Sequence, residues 1–253
     1  MAVDKNSNSF TFIFAFIMVV VVGAVLSFAA MSLKPLQVKN NIDKKMINIL
    51  TSIGVEADRE NAKELFYANI TQRYILNSKG EILSTKEGEV MPTDPKDPFN
   101  VDVKKEFRDP TLSVDDRNYP LYVASIEGEE VVIIPLVGKG LWGPIWGYVA
   151  LESDFNTIYG ANFDHKTETP GLGAEIKESW FSNPFIGKTI YNESGELVSV
   201  DVVKGSAGPD NPHAVDGITG GTITSNGVDE MLERTFGVYD SYFKNNSQIS
   251  QKQ

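Results

Sequence analysis

Residues 215–228 read Val-Asp-Gly-Ile-Thr-Gly-Gly-Thr-Ile-Thr-Ser-Asn-Gly-Val and hold four glycines and four Ser or Thr hydroxyls. Glycines let the backbone turn tightly and approach another group closely. A helix that starts after such a turn presents unpaired N–H groups and the positive end of its dipole, which together favour phosphate. A hydroxyl at that point can bind a phosphate or carry a phosphate ester. Composition alone also fits a plain loop with a Ser/Thr/Asn helix cap.

Other chemistries fail on residue type or spacing. The 253 residues contain no cysteine, which removes thiolate nucleophiles, disulfides and Cys-type zinc or iron–sulfur sites. Only His165 and His213 are available as imidazoles, and both read as turn or surface residues. Gly187-Lys188-Thr189 ends like a P-loop, yet position 182 is Ser where Gly is required. Gly171-Leu172-Gly173 is half of a dinucleotide fingerprint. No Gly-x-Ser-x-Gly elbow accompanies a histidine, so no catalytic residue and no metal ligand is assigned.

The elements around the glycine-rich stretch follow from periodicity. Val228, Met231, Leu232, Thr235, Tyr239 and Tyr242–Phe243 form one helical stripe after it, and residues 246–253 are a polar tail. Strands are predicted at 73–77, 81–84, 121–127, 130–137, 145–152, 156–163 and 197–203, with turns at 78–80, 128 and 138–143. Trp142, Trp146 and Tyr148 would share one strand face by alternation. Residues 88–98, with Pro92, Pro95 and Pro98, are a loop. Val38, Ile42, Met46, Ile49, Leu50 and Ile53 predict an amphipathic helix over 36–53, stopped at Gly54, and Asp58 can cap a second helix over 60–69. Helices, then antiparallel strands, then a helix make the expected class α+β, one antiparallel sheet with flanking helices.

The chain opens with an uncharged run, Phe10 to Met31, of 22 residues in which only Thr11 and Ser27 are polar. A helix of that length reaches about 33 Å, enough for a hydrocarbon core of about 30 Å. It is longer than a signal-peptide core, so a single membrane span over 10–32 is expected, after a tail at 1–9. Lys34, Lys39, Lys44 and Lys45 follow the span, which by the positive-inside rule favours a cytoplasmic C-terminal domain. Net charge is −11, and Asp4 and Lys5 are the only charges before residue 33, so the excess belongs to the soluble part. A surface of that sign repels phosphate backbones and argues against nucleic acid.

Asp216-Gly217-Ile218-Thr219-Gly220-Gly221-Thr222 resembles the flavinylation motif of covalent FMN-binding domains, Asp-Gly-x-Ser/Thr-Gly-Ala-Thr/Ser, with Gly221 where Ala is usual. Gly138–Leu151 (GKGLWGPIWGYVAL) and His165–Ile176 (HKTETPGLGAEI) resemble segments of the C-subunit of the Na+-translocating NADH:quinone reductases. The related G-subunit of Rnf-type ferredoxin-linked complexes shares the motif and the Pro-Gly-Leu-Gly block. The long insert before residue 120 and the Leu-Trp-Gly-Pro-Ile-Trp-Gly run favour the C-subunit family. The resemblance covers nearly the whole chain and is weakest over 33–120.

That resemblance implies FMN joined by a phosphoester to Thr222, attached by a separate flavin transferase. It implies an electron relay in a membrane complex whose other subunits bind NADH, FAD, iron–sulfur and quinone, and a domain on the periplasmic side of a bacterial cell membrane. The last point opposes the Lys count, and a domain of this length can translocate despite flanking Lys. Trp142 and Leu172 are expected to wall the ring, Gly143 and Gly173 to allow close approach, and Thr169 to offer a hydroxyl. Ile223 and Thr224 follow the acceptor and are expected to touch the group. Asp216, Gly217, Thr219, Gly220 and Gly221 complete the motif. Domains are expected at 33–119 (a helical stalk and the start of the soluble domain) and 120–245 (the FMN-binding domain). The competing readings are the Rnf-type flavin subunit and a single-pass extracytoplasmic ligand-binding sensor without redox activity.

Overall fold

The computed structural model describes residues 7–208 and 210–250, the side chains of 248–250 excepted. Helix α1 (Asn8–Thr51) runs 44 residues without interruption. The sequence predicts two helices here, a span to residue 32 and a stripe from 36. The structure joins them because Pro35 removes only its own N–H bond, while the surrounding residues keep theirs. The chain divides into two units after Lys45. In the first, every side chain from Thr11 to Asn41 is exposed, although those from Phe12 to Met31 are mostly large and apolar. This helix is long and apolar enough to cross a membrane.

The second unit is built on a six-stranded antiparallel sheet. Its strands are β1 (Ile70–Leu76), β2 (Ile82–Glu87), β3 (Tyr119–Ile126), β4 (Glu129–Lys139), β5 (Pro144–Leu151) and β6 (Ile158–His165), in the order β2-β1-β3-β4-β5-β6. Glu127 and Gly128 both hold positive φ (53° and 93°), the geometry a two-residue hairpin needs to match strand twist. The link from β2 to β3 carries α3 (Val103–Arg108), capped by the Asp102 carboxylate on the Lys105 N–H.

Both faces of the sheet are covered, so the central strands read as continuous apolar runs. Leu121, Val123, Val132, Ile134 and Leu136 point to the face under α5 (Thr222–Ser250), which buries Val228, Met231, Leu232, Phe236, Tyr239 and Phe243 there. The opposite face presents the cross-strand row Tyr122, Ile133, Ala150 and Gly160. A Cβ on Gly160 would lie 2.4 Å from the Ser52 carbonyl, so the residues just after α1 sit against that row. Helix α2 (Ala62–Asn69) lies over β1 and β3 with Phe66 buried, and the Asp58 carboxylate accepts N–H groups of the turn that leads into it. Arg73 and Asp97 are buried together on this side as a two-point ion pair, Nε–Oδ1 3.1 Å and Nη2–Oδ2 2.9 Å.

Beyond β6 the chain forms α4 (Ser179–Ser182) and a second, parallel pair, β7 (Asp201–Val203) with β8 (Ala214–Asp216). The strand predicted at 197–203 is therefore cut to 201–203, because Ser199 holds φ 64° and leaves the extended region. Helix α5 begins at Thr222, six residues before its apolar stripe, and continues into the segment expected as a tail. Its first six residues, Thr-Ile-Thr-Ser-Asn-Gly, carry a weak helix signal, and packing supplies what propensity does not.

Two glycines of α5 make a test of packing against propensity. At Gly237 a Cβ meets nothing within 4 Å, whereas at Gly227 it would lie 2.3 Å from the Lys139 carbonyl. Gly237→Ala is expected to stabilise by about 0.8–1.0 kcal/mol, the helix propensity gain. Gly227→Ala should destabilise by about 1–3 kcal/mol through overpacking. Urea unfolding of the two variants reads both signs.

Candidate functional site

The glycine-rich stretch sets the entrance to α5. Gly217 N–H donates to the Val203 carbonyl at 2.7 Å, which ties the end of β8 to β7. Residues 218–221 then make a turn, with Gly220 at φ 77° and the Gly221 N–H donating 2.9 Å to the Ile218 carbonyl. Ser225 stitches the turn to the helix, its Oγ accepting the Ile218 N–H at 2.9 Å and its N–H donating to the Gly221 carbonyl at 2.9 Å. Asp216 accepts the Ala207 N–H at 2.6 Å, so it orders the chain before β8.

Thr222 is half-buried at the first helical position. It lines a cavity of about 190 Å³ together with Thr219, Gly220, Asn226 and Lys204. The helix N–H groups at this end have no carbonyl one turn back to take. A cation, an amide side chain and free helix N–H groups around one hydroxyl form a set of donors suited to a phosphate.

Three exposed apolar side chains stand on three separate segments. Trp142 stands 65 % exposed in the β4–β5 turn, Leu172 41 % and Ile223 56 %. Trp142 lies outside β5, so it does not share a strand face with its neighbours. Trp146 instead lies under the Lys104 ammonium, and Tyr148 is buried edge-on to Tyr122.

One carboxylate holds these segments together. Glu168 is 5 % exposed. Its Oε1 accepts the Trp142 N–H at 2.8 Å and its Oε2 accepts the Thr224 hydroxyl at 2.6 Å. Gly140 and Gly173 make room for it, since a Cβ on either would come within 2.6 Å of a Glu168 oxygen. On Gly173 the same Cβ would also lie 2.3 Å from the Thr224 hydroxyl.

The expected contact residues are closely packed by their neighbours. Thr224 spends its hydroxyl on Glu168 and keeps only its backbone N–H for a ligand. Gly173 is bare because Glu168 and Thr224 occupy its side-chain space. Gly143 is bare because Thr167 Oγ1 would sit 2.6 Å from its Cβ; that hydroxyl donates to the Trp142 carbonyl at 3.1 Å. Thr169 is exposed, and its carbonyl accepts the Leu172 and Ala174 N–H groups at 3.1 Å each. At Gly221 a Cβ would lie 2.9 Å from Ile218 Cγ2, which accounts for glycine where the family motif has Ala.

Sequence reasoning missed Glu168, Lys204 and Asn226. Glu168 was marked only by its place in the Glu-Thr-Pro-Gly-Leu-Gly block, and Lys204 by nothing beyond its charge. On the neighbouring α5 turn, Asp229 accepts the Val202 N–H at 2.8 Å and pins β7. Burial pushes its carboxyl above the ordinary value, opposed by that hydrogen bond and reinforced by the Asp201 charge.

An exposed indole, two exposed aliphatic side chains and a cavity with a hydroxyl and donors at its rim fit a flat aromatic ring with a phosphate tail. The site thus belongs to the class of FMN-binding domains, and the FMN-binding domain family matches residues 140–236. The chain is 31% identical over 264 residues to the Na(+)-translocating NADH-quinone reductase C-subunit of Pseudomonas aeruginosa, covering 96% of this chain and 97% of that one. The corresponding C-subunit of Yersinia pestis is 31% identical, with 94% and 93% covered. A crystal structure of the C-subunit from Parabacteroides distasonis superposes with TM-score 0.71 at 41% identity, covering 83% of this chain and 96% of that one. The chain belongs to the family of the Na(+)-translocating NADH-quinone reductase C-subunit, an FMN-binding domain on a membrane-anchoring helix.

Proposed function

We propose that this chain carries FMN as a phosphoester on Thr222 and relays electrons inside a Na+-translocating NADH:quinone reductase. The observation that carries this is the position of Thr222: the first residue of a helix, inside the seven-residue motif, its cavity rimmed by Lys204 and Asn226. In the attachment, the Oγ–H bond of Thr222 is exchanged for an Oγ–P bond, and the transferase's flavin donor gives up the group its phosphorus carried. Bound FMN supplies reversible electron uptake and release. The chain's own residues do the rest. Lys204 and the α5 N–H groups neutralise the phosphate, and Trp142, Leu172 and Ile223 bear on the ring and exclude water from one face. The Ile223 and Thr224 N–H groups are donors close to the acceptor. Asp216, Gly217, Thr219, Gly220 and Gly221 hold the turn and offer the transferase its recognition surface.

The same reading places a single span over 10–32 in the bacterial cell membrane, with lipid and the other subunits of the complex around it. It puts residues 33–119 before the FMN-binding domain of 120–245, on the periplasmic side where the transferase works. Intact mass of the chain made with and without the transferase tests it. The expected gain is one FMN less one water, on the peptide containing Thr222. A reporter fused after Gln253 tests the side of the membrane, and cytoplasmic activity there would reverse the placement. Lys204→Ala is expected to slow attachment by at most about fivefold, because an exposed charge pair contributes under about 1 kcal/mol.

A further inference from the structure

We infer that Glu168 is the positioning residue of the flavin site, holding its walls in register and setting the electron affinity of the bound ring through its charge. The inference rests on FMN at Thr222. Each oxygen of this carboxylate reaches a different segment: Oε1 the Trp142 N–H in the β4–β5 turn at 2.8 Å, Oε2 the Thr224 hydroxyl on α5 at 2.6 Å. Its own loop carries Leu172, so all three segments that supply an apolar wall meet at one side chain.

The contact is tightly built. Gly140 and Gly173 leave no space for any side chain beside the carboxylate. The Trp142 N–H fixes Oε1 as an acceptor, and the Thr224 hydroxyl is placed to donate to Oε2. The Glu168 N–H donates to His165 Nδ1 at 3.1 Å, so that imidazole nitrogen carries no proton. Among the described residues none of the ion pairs includes Glu168. A buried, unneutralised negative charge one peptide group from Trp142 opposes the arrival of electrons on a ring lying against that indole. It keeps the flavin a stronger reductant than the same ring in water.

Two substitutions separate charge from reach. Glu168→Gln keeps the length and the acceptor for Trp142 and removes the charge. Glu168→Asp keeps the charge and is one methylene too short to hold both partners. Each is made in the full chain together with the transferase, and flavin content is read first by intact mass.

The Gln variant should carry flavin in full and melt close to the parent. Its one-electron midpoint should move to more positive potential by at least tenfold in the equilibrium constant, about 59 mV for n = 1. The Asp variant should lose visible circular dichroism and fluorescence anisotropy of the flavin, with a smaller shift in midpoint. A Gln midpoint equal to the parent's, or an Asp variant with the parent's ring signals, overturns the inference. Where the Gln variant fails to fold, the Asp measurement decides by itself. A parent chain without flavin at Thr222 would instead refute the attachment reading, and the mass of the unsubstituted protein shows that separately.

Discussion

Thr222→Ala is expected to abolish flavin attachment completely. Denaturing gels of the variant should show no ultraviolet fluorescence in its band, and its mass should be that of the bare polypeptide. A phosphoester needs a hydroxyl oxygen, and alanine offers none, so the loss is total rather than graded. The neighbouring hydroxyls cannot replace it. Thr224 is buried with its hydroxyl committed to Glu168, and Ser225 is buried with its oxygen on the Ile218 N–H. Thr219 is exposed, three residues before the helix starts.

The controls follow from the same geometry. Thr222→Ser should keep the flavin. Thr224→Ala should keep it as well, at a cost of about 1–3 kcal/mol in folding stability, since a buried Glu168 oxygen loses its donor. Fluorescence that persists in Thr222→Ala would reassign the acceptor. A sensor domain without a redox role would be dark in the parent and in every variant.

The largest loss of stability is expected away from the site, from Asp97→Ala. Arg73 and Asp97 are fully buried, and the guanidinium also donates to the Gly88 carbonyl at 2.8 Å. Asp97 in turn accepts the Phe99 N–H at 3.0 Å, so the pair anchors the long β2–β3 connection to the sheet. Removing the carboxylate leaves a buried cation alone, a loss of about 3–5 kcal/mol. Against a typical total of about 5–15 kcal/mol, that is a large share. Denaturant unfolding of the detergent-solubilised chain should show the drop. Replacing both residues by apolar side chains of similar volume should recover most of it, because the strain lies in the unpaired charge. A single variant that unfolds like the parent would mean that water reaches Arg73 readily.

The particular elements show why some features were legible. The membrane helix is a local property: 22 uncharged residues suffice to announce it. The strands β1 to β6 announce themselves by β-branched and aromatic runs between turn residues, and the structure moves their ends by only a few positions. The glycine-rich stretch is legible because its residue order is itself the signal. Errors fall where two segments distant in sequence decide a conformation. Pro35 marks a local helix weakness, yet both flanks are helical and the helix continues. Residues 197–200 have strand composition, but the turn at Ser199 ends the extension, and the Asp201–Val203 partner lies thirteen residues later in parallel register.

What residue order decided alone is the class of molecule, a span followed by an α+β domain, and the motif on which the proposal of Thr222 as acceptor rests. Those follow from short-range rules, the apolar length of a helix, the period of a strand, and the chemistry of a hydroxyl after a glycine turn. Tertiary structure alone decided which groups meet beside the start of α5. Glu168 and Thr224 are 56 positions apart, and Trp142 is 26 from Glu168, so only the closing of the sheet under α5 could bring them within hydrogen-bond distance. The same closure sets Thr167 beside Gly143, and Glu168 and Thr224 beside Gly173. Contacts of that span depend on packing density, where a single Cβ has no room, and no local pattern reports it.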